Sequence, residues 1–288
     1  QIIGTSLHSV SLEIDASISS QFISALCLIA PCLPDGLHLK LNSTVVSSPY
    51  IYLSLQLMQQ AGIELKYEQN KISIPSSTYH MDSYVVESDW SAACFFYCML
   101  MIEPRLTMIL QNVQAQSIQG DTFIQKLAQD FGIESLFENG NVQLVSTTIN
   151  NKHHSKHYNL TDYPDLAIPF IVACALSYPH VTISGIAHLE WKESKRITAL
   201  QTELQKVGRV LHYENELLRF EVYTVPSIDN TIIFSSYDDH RIVMALSMVS
   251  FLGYTIRFNS TNCIHKSFPD FFKECEKLGV KVENALHG

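Results

Sequence analysis

Three short stretches of this 288-residue chain concentrate side chains suited to holding anions and moving protons. Lys192-Glu193-Ser194-Lys195-Arg196 crowds four charges into five positions just ahead of an apolar-periodic run. Three basic groups near a helix N-terminus oppose the helix dipole, and a bound anion compensates that arrangement. Arginine suits such a ligand because its planar fork matches carboxylate and phosphate, while a neighbouring glutamate supplies a proton-transfer group. Tyr237-Asp238-Asp239-His240-Arg241 stands directly before a second apolar run, with Asp239 as a helix cap and Arg241 in the first turn. A third stretch, Cys263-Ile264-His265-Lys266-Ser267-Phe268-Pro269-Asp270, is a loop leading into the last helix. On residue types alone, a solvated helix start is the favoured account of the first stretch.

The elements that must position these groups follow a repeat. Gly62, Gly132, Gly208 and Gly279 each close a stretch of helical apolar periodicity, such as Ile197, Leu200, Leu204 and Val207. They recur with a period of roughly 70–76 residues, which implies stacked units sharing a core. Glycine suits the left-handed position just after a helix. Ahead of each closing helix lies a strand, and ahead of that a far more apolar helix (residues 21–30, 92–101, 166–176 and 242–251). A hairpin pattern follows the first three glycines. The chain therefore reads as βαβαββ four times over, the last copy cut short, with buried apolar helices surrounded by sheets. The starts of the apolar helices carry Ser19-Ser20-Gln21, Asp89-Trp90-Ser91, Pro164-Asp165 and Asp239-His240-Arg241 in register. Capping explains such residues one at a time, whereas convergence of these ends on one cleft would make an anion site.

Composition bounds the function. The chain is 47% hydrophobic with a net charge of −9, which argues against a nucleic-acid binder. Its apolar runs are too short to cross a bilayer, which takes roughly 20 residues. Seven cysteines lie mostly in apolar runs without a CxxC, so they read as buried thiols of a cytoplasmic protein rather than a metal set. His153, His154 and His157 read as solvated in a loop. No metal and no cofactor is expected.

The ordered motifs resemble those of the 5-enolpyruvylshikimate-3-phosphate synthase family over nearly the whole chain. They are Ser19-Ser20-Gln21-Phe22, Val46-Ser47-Ser48-Pro49-Tyr50-Ile51, Val86-Glu87-Ser88-Asp89, Gln119-Gly120-Asp121, Pro164-Asp165, Lys192–Arg196, Tyr237–Arg241 and Lys266-Ser267-Phe268-Pro269. The resemblance implies an α/β enolpyruvyl transferase fold, an inside-out α/β barrel. It implies transfer of the enolpyruvyl group of phosphoenolpyruvate to the 5-hydroxyl of shikimate 3-phosphate, with release of phosphate. It implies Asp165 as base toward that hydroxyl, Glu193 in the proton transfers, and Lys192 beside the reacting centre. Ser19, Ser20, Gln21, Ser47, Tyr50, Asp165, His188 and Lys192 would hold shikimate 3-phosphate. Gln21, Arg196, Arg241 and Lys266 would hold phosphoenolpyruvate.

Three positions depart from the family pattern: His188 stands for the usual Asn, Lys195 for the usual Asp, and Trp90 for a small residue after Asp89. Family members carry two further N-terminal repeats. The expectation is thus a C-terminal two-thirds, with residues 1–86 one unit of a second domain and 87–288 a near-complete three-unit domain. The chain by itself is expected to be inactive, and the full-length protein to be a monomer bound to neither nucleic acid nor membrane. UDP-N-acetylglucosamine enolpyruvyl transferase, or a non-catalytic pseudoenzyme or structural subunit, are the competing readings.

Overall fold

The computed structural model describes residue 3 and residues 11–147, 155–223 and 231–283, so His153 and His154 lie outside the described residues. The first copy runs β1 (Ser11–Asp15), α1 (Ser20–Ile29), β2 (Leu37–Asn42), α2 (Ser48–Gln60), β3 (Lys66–Glu68) and β4 (Lys71–Ile74). The second holds α3 (Trp90–Ile102), β5 (Met108–Leu110), α4 (Phe123–Gln129), β6 (Ile133–Glu138) and β7 (Asn141–Ser146). The third repeats the whole set as β8 (His157–Asn159), α5 (Pro164–Ser177), β9 (Thr182–Ser184), α6 (Arg196–Gln205), β10 (Arg209–Glu214) and β11 (Leu217–Val222). The fourth ends early, with β12 (Ile232–Phe234), α7 (His240–Ser247), β13 (Ile256–Phe258) and α8 (Phe271–Lys277).

Sheet order shows that these are copies of one design. The first sheet runs β1-β2-β4-β3 and the third copy β8-β9-β11-β10, each with a parallel first pair and antiparallel partners after it. The second copy forms β5-β7-β6 and the fourth the parallel pair β12-β13. Gly62, Gly132, Gly208 and Gly279 all adopt φ between 69° and 89°, a left-handed conformation that a Cβ penalises. Seven and eight residues beyond the first three, the pairs Gln69-Asn70, Asn139-Gly140 and Asn215-Glu216 are left-handed too. Two consecutive positive φ values make the two-residue turn whose twist suits a hairpin.

One part of the expected repeat is missing. The second copy has no leading strand: residues 75–89 form neither helix nor strand, and Val85 and Val86 are exposed. This stretch serves instead as a connector. The chain divides into one compact unit of residues 1–87 with 116–120 and another of 88–115 with 121–288, so it passes from one to the other at Glu87–Ser88. Within the smaller unit the Glu87 carboxylate accepts bonds from Ser117 Oγ, the Ile118 amide and Gln119 Nε2.

The larger unit is built around α3, α5 and α7, which pack side by side and are buried nearly all round. That explains their uniform apolarity, since a helix with no solvent-facing side needs no polar stripe. The amphipathic α4 and α6 bury one face, α6 through Ile197, Leu200 and Leu204. In the smaller unit, the equivalent helix α1 buries only Ser20, Ile23 and Cys27 and leaves Phe22, Leu28 and Ile29 exposed. Cys94, Cys98 and Cys174 are buried in the larger core, and burial pushes their thiols well up.

Candidate active site

In every complete copy, the residues with chemical potential stand in the loops that follow the parallel strand pair. Open α/β sheets place ligand sites at these carboxyl ends. In the smaller unit, Ser19 follows β1 and caps α1, its Oγ accepting the Gln21 amide at 3.2 Å. Ser47 follows β2 at the start of α2, buried, with a left-handed backbone (φ 57°) and no side-chain cap bond. The two loops are tied by the Val46 amide donating to the Ala16 carbonyl. Ser20, Gln21 and Tyr50 complete this group, with Ser20 buried and Gln21 exposed.

The larger unit gathers the remaining candidates. Asp165 follows β8 as the second residue of α5; Pro164 opens the helix, so the carboxylate points onward instead of capping it. It meets Arg241 from the start of α7 at 2.9 Å, and Arg241 Nη1 also donates to the Asp165 carbonyl at 3.2 Å. Lys192 to Lys195 precede α6 rather than forming its first turn. A 3-10 turn over Ala187–Trp191 leads into them, and its Glu190 receives both the amide and the hydroxyl of Thr198. That carboxylate satisfies an end of α6 which the sequence had left to a basic cluster.

Arg196 opens α6 and is 1% exposed, a burial a guanidinium tolerates only when paired. Its Nε donates to Asp239 at 2.9 Å and one Nη to Glu193 at 2.8 Å. Asp239 is fully buried, caps α7 through the Arg241 amide, and accepts Ser194 Oγ at 2.9 Å. Burial raises the Asp239 carboxyl, but Arg196, Ser194 and the Arg241 amide outweigh it and hold the group below its ordinary range. Lys266, in the loop after β13, reaches Glu193 at 3.3 Å. Asp165, Lys192, Glu193, Arg196, Arg241 and Lys266 are thus one cluster. Burial lowers the Lys192 ammonium against the pull of Asp165.

Trp90 is buried in the core of the larger unit, and the other two departures from the family pattern fit this geometry. Lys195 is exposed, and Arg196 draws its carboxylates from Asp239 and Glu193 instead. His188 is half-buried, its Nε2 without a hydrogen-bond partner among the described residues. Burial, with Lys192 and Arg196 nearby, pushes it down to about 4. It is neutral at pH 7 and able to donate to an anion. Protonation must then be forced on the folded state, so its stabilising effect is complete above the unfolded value near 6.5 and fades as pH falls toward 4. Thermal unfolding between pH 7 and 4 is expected to lose on the order of 2 kcal/mol from this group, and His188→Asn to flatten that part of the curve. An unchanged slope in the variant would remove His188 as its cause.

Sequence reasoning passed over His240 and Glu203. His240 is buried at the start of α7, and burial beside Arg241 lowers it, with Nδ1 unpartnered among the described residues. Glu203 is 1% exposed on α6. Its place in the stripe of Leu200, Leu204 and Val207 was a readable signal that it faces inward.

The family model for EPSP synthase (3-phosphoshikimate 1-carboxyvinyltransferase) matches residues 1–275. The chain belongs to the EPSP synthase family. A 3-phosphoshikimate 1-carboxyvinyltransferase of Bacteroides fragilis is 31% identical over 290 residues, covering 98% of this chain and 69% of the relative. The enzyme of that name from Idiomarina loihiensis is 33% identical over 269 residues, covering 92% and 61%. Among solved structures, EPSP synthase from Acinetobacter baumannii superposes with a TM-score of 0.69 at 19% identity, covering 97% of this chain and 64% of that one. The enolpyruvyl transferase NikO from Streptomyces tendae gives 0.70 at 12%, covering 96% and 65%. These structural likenesses establish the enolpyruvyl transferase fold, and the chain spans about two thirds of each relative's length. No helix among the described residues is long and apolar enough to cross a membrane.

Proposed function

We propose that a protein carrying this chain transfers the enolpyruvyl group of phosphoenolpyruvate to the 5-hydroxyl of shikimate 3-phosphate. The observation that carries the reading is the cluster itself. Asp165 and Glu193, the two carboxylates available for proton work, each lie against a cation assigned to phosphoenolpyruvate. Asp165 takes the proton of the 5-hydroxyl as that oxygen bonds to C2 of phosphoenolpyruvate, and C3 gains a proton to become a methyl group. Loss of a proton from that methyl group with departure of phosphate from C2 forms the enol ether of the product, and Glu193 serves these transfers at the enolpyruvyl carbons. Lys192, desolvated and close to Asp165 and Glu193, supports charge at the reacting centre.

Arg196, Arg241 and Lys266 grip the phosphoenolpyruvate carboxylate and phosphate, with Arg196 also fixing Glu193. Ser19, Ser20, Gln21, Ser47 and Tyr50 are the smaller unit's groups assigned to shikimate 3-phosphate, Gln21 being assigned to phosphoenolpyruvate as well, and His188 and Lys192 are among the larger unit's groups for shikimate 3-phosphate. The working form is a cytoplasmic monomer. Isothermal titration tests the reading: shikimate 3-phosphate is expected to bind, and to bind more tightly beside a phosphoenolpyruvate analogue. Binding of a UDP-sugar in its place, or no heat from either ligand, would refute it.

A further inference from the structure

The loop that delivers Asp239 and Arg241 is held by a carboxylate some way from them. Tyr237 and Asp238 both have left-handed backbones (φ 53° and 52°), a conformation that non-glycine residues keep only where their surroundings impose it. Glu203, two turns along α6 from Arg196, supplies that constraint. One oxygen accepts Tyr237 Oη at 2.9 Å, and the other accepts the Ser235 amide at 3.1 Å and Lys206 Nζ at 2.6 Å. Lys206 also donates to the Ile233 carbonyl at 2.9 Å, and the Ser236 amide is held by Asn259 Oδ1 at 2.8 Å. Helix α6 therefore grips residues 233–239 twice on one face, by Arg196 through Asp239 and by Glu203 through Tyr237 and Ser235.

We infer that Glu203 is a positioning residue, acting through Tyr237 to fix the Asp239–Arg196 pair and the direction of Arg241. Its consequence for substrate rests on the reading of Arg241 as a phosphoenolpyruvate ligand; its consequence for the loop does not. A buried Nε–H donating to a carboxylate gives Arg196 a slowly exchanging side-chain resonance that reports the pair directly. Tyr237→Phe removes one hydroxyl from a partly exposed ring, and Glu203→Gln keeps the shape while losing the charge. Both are expected to shift or broaden the Arg196 resonance. Both are expected to raise KM for phosphoenolpyruvate about tenfold with kcat within about threefold, the signature of lost binding rather than lost chemistry.

Leu204→Val, a core change on the same helix, is the stability control and should lower Tm without moving the resonance. An unmoved Arg196 resonance in folded Tyr237→Phe would overturn the inference, as would an equal shift in Leu204→Val. If Glu203→Gln does not fold, Tyr237→Phe decides. A resonance that moves in a protein that binds no phosphoenolpyruvate upholds the positioning role and refutes the substrate reading instead.

Discussion

Replacing Asp165 by Asn is expected to cut kcat by about a thousandfold while tightening phosphoenolpyruvate about tenfold. The two effects oppose each other because Asp165 has two occupations. As a base it is indispensable to the proposed addition. Its carboxylate, however, also pairs with the guanidinium of Arg241 at 2.9 Å, the group proposed to take the substrate's carboxylate or phosphate. Asn keeps the shape but withdraws the competing charge, so the anion no longer has to displace an ion pair. Equilibrium binding and single-turnover rates separate the two terms. Loss of affinity alongside loss of rate would mean that Asp165 holds Arg241 in place without competing for it.

The largest expected loss of stability lies one layer deeper. Asp239→Ala removes a helix cap and leaves the buried Arg196 with Glu193 as its one carboxylate partner among the described residues, together costing about 4 kcal/mol. For a unit of this size that lowers Tm by roughly 10 °C. The cap alone accounts for about 1 kcal/mol of it, so the under-compensated charge dominates. Arg196→Met combined with Asp239→Ala should therefore be more stable than Asp239→Ala alone, since it leaves no half-paired cation in the core. Thermal unfolding of the single and double variants decides. A double variant no better than the single would assign the loss to packing and capping rather than to charge.

Periodicity carried much of the architecture. Gly62, Gly132, Gly208 and Gly279 were readable as helix ends because the left-handed position after a helix demands a residue without a side chain, and all four have that geometry. Helices α3, α5 and α7 were legible as buried from their uniform composition, whereas the likewise apolar α1 buries one face and leaves Phe22, Leu28 and Ile29 exposed. The leading strand that the repeat implied for the second copy is absent: residues 75–89 run without strand structure to the passage between the two units at Glu87–Ser88.

At the site, the cations were visible as motifs but their partners were not. Arg196 and Asp239 lie 43 residues apart in sequence, and nothing local says that one neutralises the other. Glu190 looks like an ordinary surface charge until the fold sets it against the amide and hydroxyl of Thr198. Long-range pairing is the information that a one-dimensional pattern lacks.

The mutual pairing in the larger unit also governs how far its charge is felt. Lys192, Arg196, Arg241 and Lys266 are set against Asp165, Glu193 and Asp239, so the cluster nearly cancels itself before any ligand arrives. At physiological ionic strength, whatever field remains decays over about 8 Å, and the chain as a whole is negative. An anionic substrate is not drawn in from a distance. On the proposed reading of Arg241, recognition works at contact, by exchange: the newcomer must offer Arg241 a better-fitting pair of oxygens than the Asp165 carboxylate at 2.9 Å. Selectivity then rests on the spacing and planarity of those oxygens rather than on the amount of negative charge they bring.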